Sequence, residues 1–348
     1  MQLTYFKSIT AICLFSLFLI ACSKSDDNTN TDNNNNNTDT GTDTNIYVAG
    51  YQNINGKDVA TLWKNGKTVD LSLVSNGSEA YSVCVSGGDV YVAGYAILGL
   101  SRIAMVWKNG SGTPVSTLSS SAQSVYVSGG KVYVAGQEYL KAYTATYWVD
   151  GAETHLADRL SYGKSIHVSN GNVYVGGEEA IQYGQVWKNG KAMDIKLPSG
   201  ATTTNIHSVY STGSDVYAAG SAHISKNVAV VWKNGTPMEL TDGTTQAEAE
   251  SVYVSGNDVY VVGQEMHTVG IYRAMLWKNG TGVPLTDGTR SAYAYSVQVV
   301  GGNVYVAGCE QIDKKYYASV LWENGKPVYI TDGKTNDAKA YSVFVAQE

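Results

Sequence analysis

The feature that most constrains this chain is a five-residue motif, Val-Tyr-Val-Ala-Gly, that returns seven times with small changes. Its copies start at Ile46, Val90, Val132, Val173, Val216, Val259 and Val304. Successive starts lie 41 to 45 residues apart. A repeat of this period indicates one supersecondary unit copied along the chain, with neighbouring copies burying each other's apolar faces. Residues are therefore compared by their position within the repeat.

Two further motifs recur in step with the first. A Trp that precedes a tight turn, most often as Trp-Lys-Asn-Gly, occurs at Trp63, Trp107, Trp148, Trp187, Trp232, Trp277 and Trp322. A Ser followed by a β-branched residue, which we call the repeat Ser, occurs at Ser82, Ser124, Ser165, Ser208, Ser251, Ser296 and Ser342. Each unit thus reads Ser-Val-x-Val, a Gly-rich turn, Val-Tyr-Val-Ala-Gly, a variable stretch and Trp-Lys-Asn-Gly.

This order predicts four short antiparallel strands in each unit. Val, Ile and Tyr dominate the apolar runs, and these residues suit a pleated, half-buried surface. The Asn-Gly and Asp-Gly pairs tolerate the positive φ angles of tight hairpin turns. No segment shows a sustained helical period, and only 5 Pro are present. The body of the chain is therefore predicted to be all-β.

Seven four-stranded units at this period resemble β-propellers of the WD-repeat and kelch type. The resemblance covers 46–348 and concerns architecture, because neither the Gly-His and Trp-Asp pair of WD repeats nor the double Gly of kelch blades is cleanly present. It implies a seven-bladed β-propeller, with a β-solenoid as the alternative. The chain enters on a second strand at Ile46 and leaves on a first strand after Ser342. These two pieces complete one blade, as a closed ring requires, which ties the termini together and removes an exposed edge.

The N-terminal residues 1–21 predict a signal peptide of a lipoprotein. Lys7 is the only charge, and the apolar stretch 9–21 is too short to span a bilayer. The stretch ends in Leu-Ile-Ala-Cys, which resembles the lipobox of bacterial lipoproteins. The resemblance implies that Cys22 becomes an acylated N-terminus carrying chains such as palmitate, and several chains on one Cys anchor stably. The alternative is an ordinary cleaved signal followed by a chance Cys.

Residues 22–45 predict a disordered linker between the lipid and the propeller at 46–348. The Ser-Lys-Ser-Asp-Asp that follows Cys22 resembles the surface-export signal of some Gram-negative outer-membrane lipoproteins, with an acidic solvated linker as the alternative. The stretch 28–45 contains only Asn, Thr, Asp and one Gly, which cannot form a core. We therefore expect an outer-membrane lipoprotein, exposed on the surface, although exposure to the periplasm stays open.

Charge and motif content exclude several kinds of partner. The formal net charge is −6, and no basic stripe is present, so we expect no nucleic-acid ligand. No His-x-x-x-His or Cys-x-x-Cys pair, phosphate loop or nucleophile elbow occurs, so no cofactor, metal or catalytic residue is assigned. A metal held by His207, His223 or His267 with nearby Glu side chains is the alternative. Cys84 and Cys309 fall in blades separated by the first blade, which disfavours a disulfide.

One end of the predicted ring is expected to carry the function. The first-to-second and third-to-fourth turns are short and nearly identical, whereas the connections at the other end are expected to be longer and to differ between blades. We call these the uniform end and the variable end. Rigid scaffolds commonly present functional residues on such variable loops. At the variable end, the residues just before each repeat Ser are Tyr81, Gln123, Lys164, His207, Glu250, Tyr295 and Tyr341.

Acidic residues at the exits of the second strands add to these candidates. The exits contain Gln137-Glu138, Gln264-Glu265 and Glu310, from which we select Glu138, Glu265 and Glu310. Tyr rings beside amide and carboxylate acceptors suit a sugar or a peptide. The alternative is that these are ordinary half-exposed loop residues. The repeated Tyr and Trp are expected in the core between blades.

Three functions remain open on this sequence. The first is a lipid-anchored binding module for a glycan or a protein. The second is a glycan hydrolase or lyase with acids at the channel mouth, and the third is a structural or assembly lipoprotein. Nearly identical blades favour the first and third, because a catalytic propeller needs blades that diverge around one asymmetric site. The oligomeric state stays open.

Overall fold

The protein is described from a computed structural model that covers residues 44–71, 75–180 and 182–347. The predicted signal peptide, Cys22 and the linker up to residue 43 lie outside these described residues. Across the described ranges the regular structure is β-strand, arranged in seven sheets of four strands each. Within the same ranges, no helix has the length and apolarity needed to cross a membrane.

The strands fall into blades in chain order, as the repeat predicts. Blade one contains β1 (Thr44–Ile54), β2 (Lys57–Lys64) and β3 (Lys67–Val69). Blade two contains β4 (Ser78–Ser86), β5 (Asp89–Leu98), β6 (Ser101–Lys108) and β7 (Ser111–Pro114). Blade three contains β8 (Ser120–Ser128), β9 (Lys131–Tyr139), β10 (Tyr143–Val149) and β11 (Ala152–His155). Blade four contains β12 (Ser161–Ser169), β13 (Asn172–Glu179), β14 (Tyr183–Lys188) and β15 (Lys191–Ala192).

The remaining strands complete the ring. Blade five contains β16 (Thr203–Ser211), β17 (Val216–His223), β18 (Asn227–Lys233) and β19 (Thr236–Glu239). Blade six contains β20 (Ala247–Ser255), β21 (Asp258–Thr268), β22 (Ile271–Lys278) and β23 (Thr281–Pro284). Blade seven contains β24 (Ala292–Val300), β25 (Asn303–Gln311), β26 (Tyr317–Glu323) and β27 (Lys326–Tyr329). The last strand is β28 (Ala338–Gln347).

The ring is closed by a blade that takes strands from both chain ends. Strand β28 pairs antiparallel with β1, and the sheet order is β28-β1-β2-β3. Thr44 lies opposite Gln347 at the end of this pairing. The first strand of every blade contacts the first strands of both neighbours, and β28 contacts β24 and β4. The predicted seven-bladed β-propeller with a shared first blade is therefore confirmed.

The repeat Ser joins each blade to the next one around the axis. Its Oγ accepts a hydrogen bond from the backbone N–H of the residue that follows the repeat Ser of the neighbouring blade. Ser82 accepts from Val125 at 3.1 Å, and Ser342 accepts from Val83 at 3.2 Å across the closure. The other five blades repeat the contact at 3.1 to 3.4 Å. This circle of seven bonds explains why a Ser recurs at this position.

The repeated Tyr and Trp form the cores between blades, as predicted. All seven Trp side chains are fully buried. The Tyr of one blade shares an apolar cluster with the Trp of the next, as Tyr47 does with Trp107 and Tyr260 with Trp322. The same pairing closes the ring, where Tyr305 of blade seven packs in the cluster of Trp63. Burying residues of this size at each interface is the main apolar contribution to the stability of the ring.

The Asn-Gly turns after each Trp also have a structural role. Asn65 and Gly66 adopt φ angles of 50° and 75°, the left-handed region that such a turn requires. The Asn65 side chain then accepts a hydrogen bond from the N–H of Ile46 at 2.8 Å, where β1 begins. Every blade makes the equivalent bond, and Asp150 supplies the oxygen in blade three. The turn residue therefore fixes the start of the second strand.

The connections at the variable end differ in part from expectation. The links between one blade and the next range from five residues, 115–119, to ten, 193–202. The second-to-third connections were expected to be long, but they reach only from two residues, 55–56, to five, 312–316. Long second strands such as β21 shorten these loops, because the sheet continues into the expected loop region. Variation at this end therefore comes mainly from the links between blades.

Candidate binding cavity at the propeller axis

Each innermost strand carries a β-bulge at the residue before the repeat Ser. In β4, Ala80 lies opposite Gly94 and Ser82 lies opposite Ala93, so Tyr81 has no partner residue in β5. The same break occurs in the other six first strands, where the skipped residues are Gln123, Lys164, His207, Glu250, Tyr295 and Tyr341. A bulge bends its strand and reorients the extra side chain. We call these seven side chains the bulge residues.

The Gly that ends the repeated motif allows this bulge to form. A Cβ on Gly94 would lie 2.0 Å from the carbonyl oxygen of Glu79, which is far inside contact distance. The equivalent glycines of the other blades have the same close approach, at 1.8 to 2.0 Å. Only a residue without a side chain fits against the bulged strand. The most uniform part of the repeat therefore positions its most variable residue.

The seven bulge residues line one cavity of about 460 Å³ at the axis of the ring. Gln137, Tyr162 and Glu178 complete the lining. The structure thus brings together seven of the ten residues that the sequence singles out as ligand-binding candidates. The volume lies in the range of small-molecule sites, about 300 to 1,000 Å³. Ligand binding by these residues stays a prediction.

The cavity has an aromatic side formed by blades seven, one and two. Tyr295, Tyr341 and Tyr81 form what we call the aromatic arc, with ring centroids 5.3 Å apart for the first pair and 5.4 Å for the second. Tyr51 and Tyr95 support it from the second strands, each at less than 6 Å from an arc ring. Burial raises the pKa of all three arc hydroxyls, which therefore stay protonated and able to donate.

The opposite side of the cavity is ionic. Lys164 of blade four, His207 of blade five and Glu250 of blade six form what we call the ionic arc. The Nζ of Lys164 lies 3.4 Å from Oε1 of Glu178, and Nδ1 of His207 lies 2.9 Å from Oε2 of Glu250. Gln264 donates from Nε2 to Oε1 of Glu250 at 2.9 Å. Because the two arcs face each other, the site is asymmetric although the scaffold repeats.

His207 and Glu250 form an ion pair whose members stabilise each other's charge. Burial alone would lower the pKa of His207, but the adjacent Glu250 carboxylate outweighs burial and the pKa of His207 is raised. Burial would likewise raise the pKa of Glu250, but the charge of His207 lowers that pKa to about 2. Both side chains are mostly buried, with 17 % and 20 % of their surface exposed. The pair therefore holds a proton on the imidazole at the cavity wall.

The three selected glutamates lie elsewhere, contrary to the expected mouth position. Glu138 is buried and accepts a hydrogen bond from Ser116. Glu265 accepts from Thr245 at 2.8 Å. Glu310 pairs with Arg290 at 2.6 Å. None of the three is among the residues lining the axial cavity.

Strand alternation explains this difference. Successive side chains on a strand point to opposite faces of the sheet, so only one residue of each Gln-Glu pair can face the axis. Gln137 lines the cavity and Gln264 bonds to Glu250, and both are the first residue of their pair. The bulge fixes this register, and the repeat pattern alone does not contain the bulge. The glutamates therefore face the flanks of their blades.

Glu138 takes part in a different cluster. One carboxylate oxygen of Glu138, one of Glu153 and one imidazole nitrogen of His155 all lie within 4.8 Å of one another. Nδ1 of His155 forms a hydrogen bond with the hydroxyl of Thr146 at 3.1 Å. Among the residues described, it is the one group of three His, Cys, Asp or Glu close enough to share a cation. His207, His223 and His267 are not brought together in this way.

A second cavity, of about 370 Å³, lies on the axis toward the uniform end. Its variable lining comes from the second residue after each repeat Ser, namely Cys84, Tyr126, His167, Tyr210, Tyr253, Gln298 and Phe344. The ring of His167 lies 4.7 Å from that of Tyr126 and 4.4 Å from that of Tyr210. We call this cavity the lower chamber. The repeat pattern did not reveal it, because its signal is residue variation inside an otherwise uniform strand.

Of the comparisons with known proteins, only the one with solved structures found similar proteins, and these show the fold alone. No family model matches this sequence, and no curated protein matches it. The acylaminoacyl peptidase of Pyrococcus horikoshii is similar in structure, with a TM-score of 0.51 and 14 % identity over 83 % of this chain. The chain spans about half of that enzyme, 51 % of its length.

The β-propeller domain of the trilobed protease from Pyrococcus furiosus is similar at the same TM-score of 0.51 and 14 % identity. There the match covers 83 % of this chain and 95 % of that domain, which is described as having an open velcro topology. In the present chain, β28 completes the first blade by pairing with β1. These likenesses support the propeller architecture alone.

Proposed function

We propose that this chain is a binding protein that holds a glycan in the axial cavity. The observation that supports the proposal most directly is the asymmetric lining, with the aromatic arc facing the ionic arc across about 460 Å³. Tyr faces pack well on the apolar CH faces of sugar rings. Amide, hydroxyl and charged groups on the opposite side suit the hydroxyls of the same ring. A repeated scaffold whose bulge residues differ from blade to blade is consistent with selective recognition.

A glycan fits this site better than a folded protein does. A cavity of this volume suits a small-molecule-sized group. A stable protein interface instead buries about 1,200 Å² or more across a broad surface. The bulge residues, which differ between blades, line the axial cavity, where a flat protein surface does not reach. We therefore place recognition of a protein, and a structural or assembly role, second to glycan binding.

A glycan screen followed by calorimetry tests the proposal on the purified full-length protein. We expect saturable binding that Tyr341→Ala weakens by about 10-fold or more, because the variant removes one stacking face of the aromatic arc. Tyr183→Ala is the matched control, since Tyr183 is exposed on β14 outside the cavity. Thermal unfolding of each variant shows whether the ring is intact.

Other outcomes would replace the proposal. Degradation of the bound glycan, abolished by Glu250→Gln, would make the protein a glycan hydrolase or lyase. A stable protein partner with no glycan bound would point to a structural or assembly role. Equal glycan binding by the wild type and Tyr341→Ala would place the site away from the axial cavity.

We further propose that the protein is anchored by acylated Cys22 in the outer membrane and presents the propeller at the cell surface. The lipobox-like end of the signal peptide supports this proposal, and Cys22 lies outside the described residues. Palmitate labelling in a Gram-negative host should mark the wild type and not Cys22→Ser. Proteinase added to intact cells should digest a surface-exposed ring. An unlabelled wild type refutes the anchor, and a protected ring places it in the periplasm.

A further inference from the structure

In the ionic arc of the axial cavity, the carboxylates are engaged while the cations keep unused donors. Each carboxylate in the lining already has two partners. Glu250 binds His207 through one oxygen and Gln264 through the other. Glu178 binds Lys164 through Oε1 at 3.4 Å. The Asn205 amide, oriented with its nitrogen toward Glu178, donates to Oε2 at 2.8 Å.

The cations of the ionic arc keep donors that these carboxylates do not use. A Lys ammonium has three N–H donors and an imidazolium has two. Nζ of Lys164 lies 3.4 Å from one carboxylate oxygen, and Nδ1 of His207 lies 2.9 Å from another. Among the described residues, Nε2 of His207 and the remaining N–H groups of Lys164 have no further partner. Both side chains retain exposed surface, 28 % for Lys164 and 17 % for His207.

The hydroxyls of the aromatic arc can also donate to a ligand. Burial raises the pKa of Tyr81 and Tyr341, so their hydroxyls keep their protons at physiological pH. Every hydroxyl of a neutral sugar brings a donor that needs an acceptor, together with two acceptor lone pairs. A carboxylate instead offers only acceptors, and charge-assisted hydrogen bonds to it are about twice as strong as neutral ones. The lining therefore complements an anionic group better than a neutral one.

We infer that the ligand of the axial cavity is an acidic sugar of the uronic acid type. Its carboxylate lies between Lys164 and His207, which occupy adjacent blades, and its ring faces the aromatic arc. This inference rests on the proposed glycan binding and names the ligand class. No covalent step is involved, because the site binds the sugar and releases it unchanged.

Paired acidic and neutral oligosaccharides test the inference on the full-length protein. The probes are oligomers of galacturonate and glucuronate, with galactose and glucose oligomers of the same length as neutral counterparts. We expect the acidic member of one pair to bind about 10- to 100-fold more tightly, as charge-assisted bonds imply. Lys164→Gln should weaken binding of the acidic member more than binding of the neutral one, and so lower that preference to a few-fold. Lys131→Gln removes the same charge at the exposed first residue of β9 and should leave the preference intact.

The pH profile gives a second readout that does not depend on Lys164→Gln folding. Glu250, Lys164 and Glu248 are the charged groups that face His207. The uronate is ionised throughout the neutral range, and Glu250 has a pKa of about 2. Affinity for the acidic probe should therefore fall as the pH rises through the raised pKa of His207. In His207→Gln this dependence should disappear.

The outcomes separate this inference from the proposed function. Neutral oligosaccharides that bind as tightly as acidic ones overturn the inference and leave glycan binding in place. A short acidic peptide that binds more tightly than any uronate also overturns it, and assigns the donors to a peptide carboxylate. No binding of either sugar class overturns both. A pH profile that is unchanged in His207→Gln removes His207 from the carboxylate site.

Discussion

Acidification should destabilise the ring through one histidine in the lower chamber. His167 is buried between Tyr126 and Tyr210, and Nδ1 accepts a hydrogen bond from the N–H of Ser211 at 3.2 Å. Burial lowers the pKa of His167 from 6.5 to about 4. The unfolded chain therefore binds a proton at a higher pH than the folded ring does. The stability associated with neutral His167 is present above pH 6.5 and is lost as the pH falls toward 4.

The size of this effect follows from the two pKa values. At pH 4, a group with an unfolded pKa of 6.5 and a folded pKa of about 4 lowers the free energy of unfolding by about 3 kcal/mol. His167→Phe keeps an aromatic ring and removes the titration. The difference in unfolding free energy between the wild type and this variant should therefore change by about 3 kcal/mol between pH 7.5 and 4.

Urea unfolding followed by Trp fluorescence measures this difference, because all seven Trp are buried. Tyr210→Phe is the matched control in the same chamber, since it does not change a group that titrates between pH 4 and 7.5. It should follow the wild-type pH dependence. Parallel curves for the wild type and His167→Phe would refute the reasoning, because they would mean that His167 titrates alike in both states.

Three further predictions concern the scaffold, each measured as the free energy of unfolding by urea titration. Asn234→Ala should lower the free energy of unfolding by about 1–2 kcal/mol, because Ala is strained at φ 50° and cannot make the side-chain hydrogen bond. Asn234→Asp should lower it by less, since Asp150 occupies the same turn position in blade three. Equal losses in the two variants would contradict this reasoning. Gly263→Ala should lower the free energy of unfolding by about 3 kcal/mol or more and weaken ligand binding, since the new Cβ would lie 2.0 Å from the carbonyl oxygen of Glu248. An unchanged stability would mean that the bulge does not require a glycine at this position. Trp232→Ala should lower the free energy of unfolding by about 3–5 kcal/mol, because the side chain is fully buried between blades. A loss below about 1 kcal/mol would mean that the neighbouring side chains close the cavity left by the Trp.

The sequence predicts the architecture well because the repeat records the contacts that every blade makes. The repeated Trp and the repeat Ser each have the same structural partner in all seven blades, as does the turn residue, which is Asn in six blades and Asp150 in blade three. A contact that occurs seven times leaves a periodic signal in the residues. The shared first blade is also readable, since the order of strands at the two chain ends is part of that signal.

The candidate site is predicted only in part because the bulge is a backbone feature. The position before the repeat Ser varies between blades, so its seven residues can be identified from the sequence. The exit residues could not be assigned to a face, since one skipped residue changes which side chain points to the axis. Glu138 and Glu310 therefore lie outside the cavity, while Gln137 lies within it. The lower chamber was missed because its lining lies inside a strand that otherwise repeats.

The closure of the first blade also determines how the cavity is presented. Thr44 pairs with Gln347 at the uniform end of β1, on the side of the ring opposite the bulge residues. The junction that closes the ring therefore lies away from the end at which a ligand would reach the bulge residues.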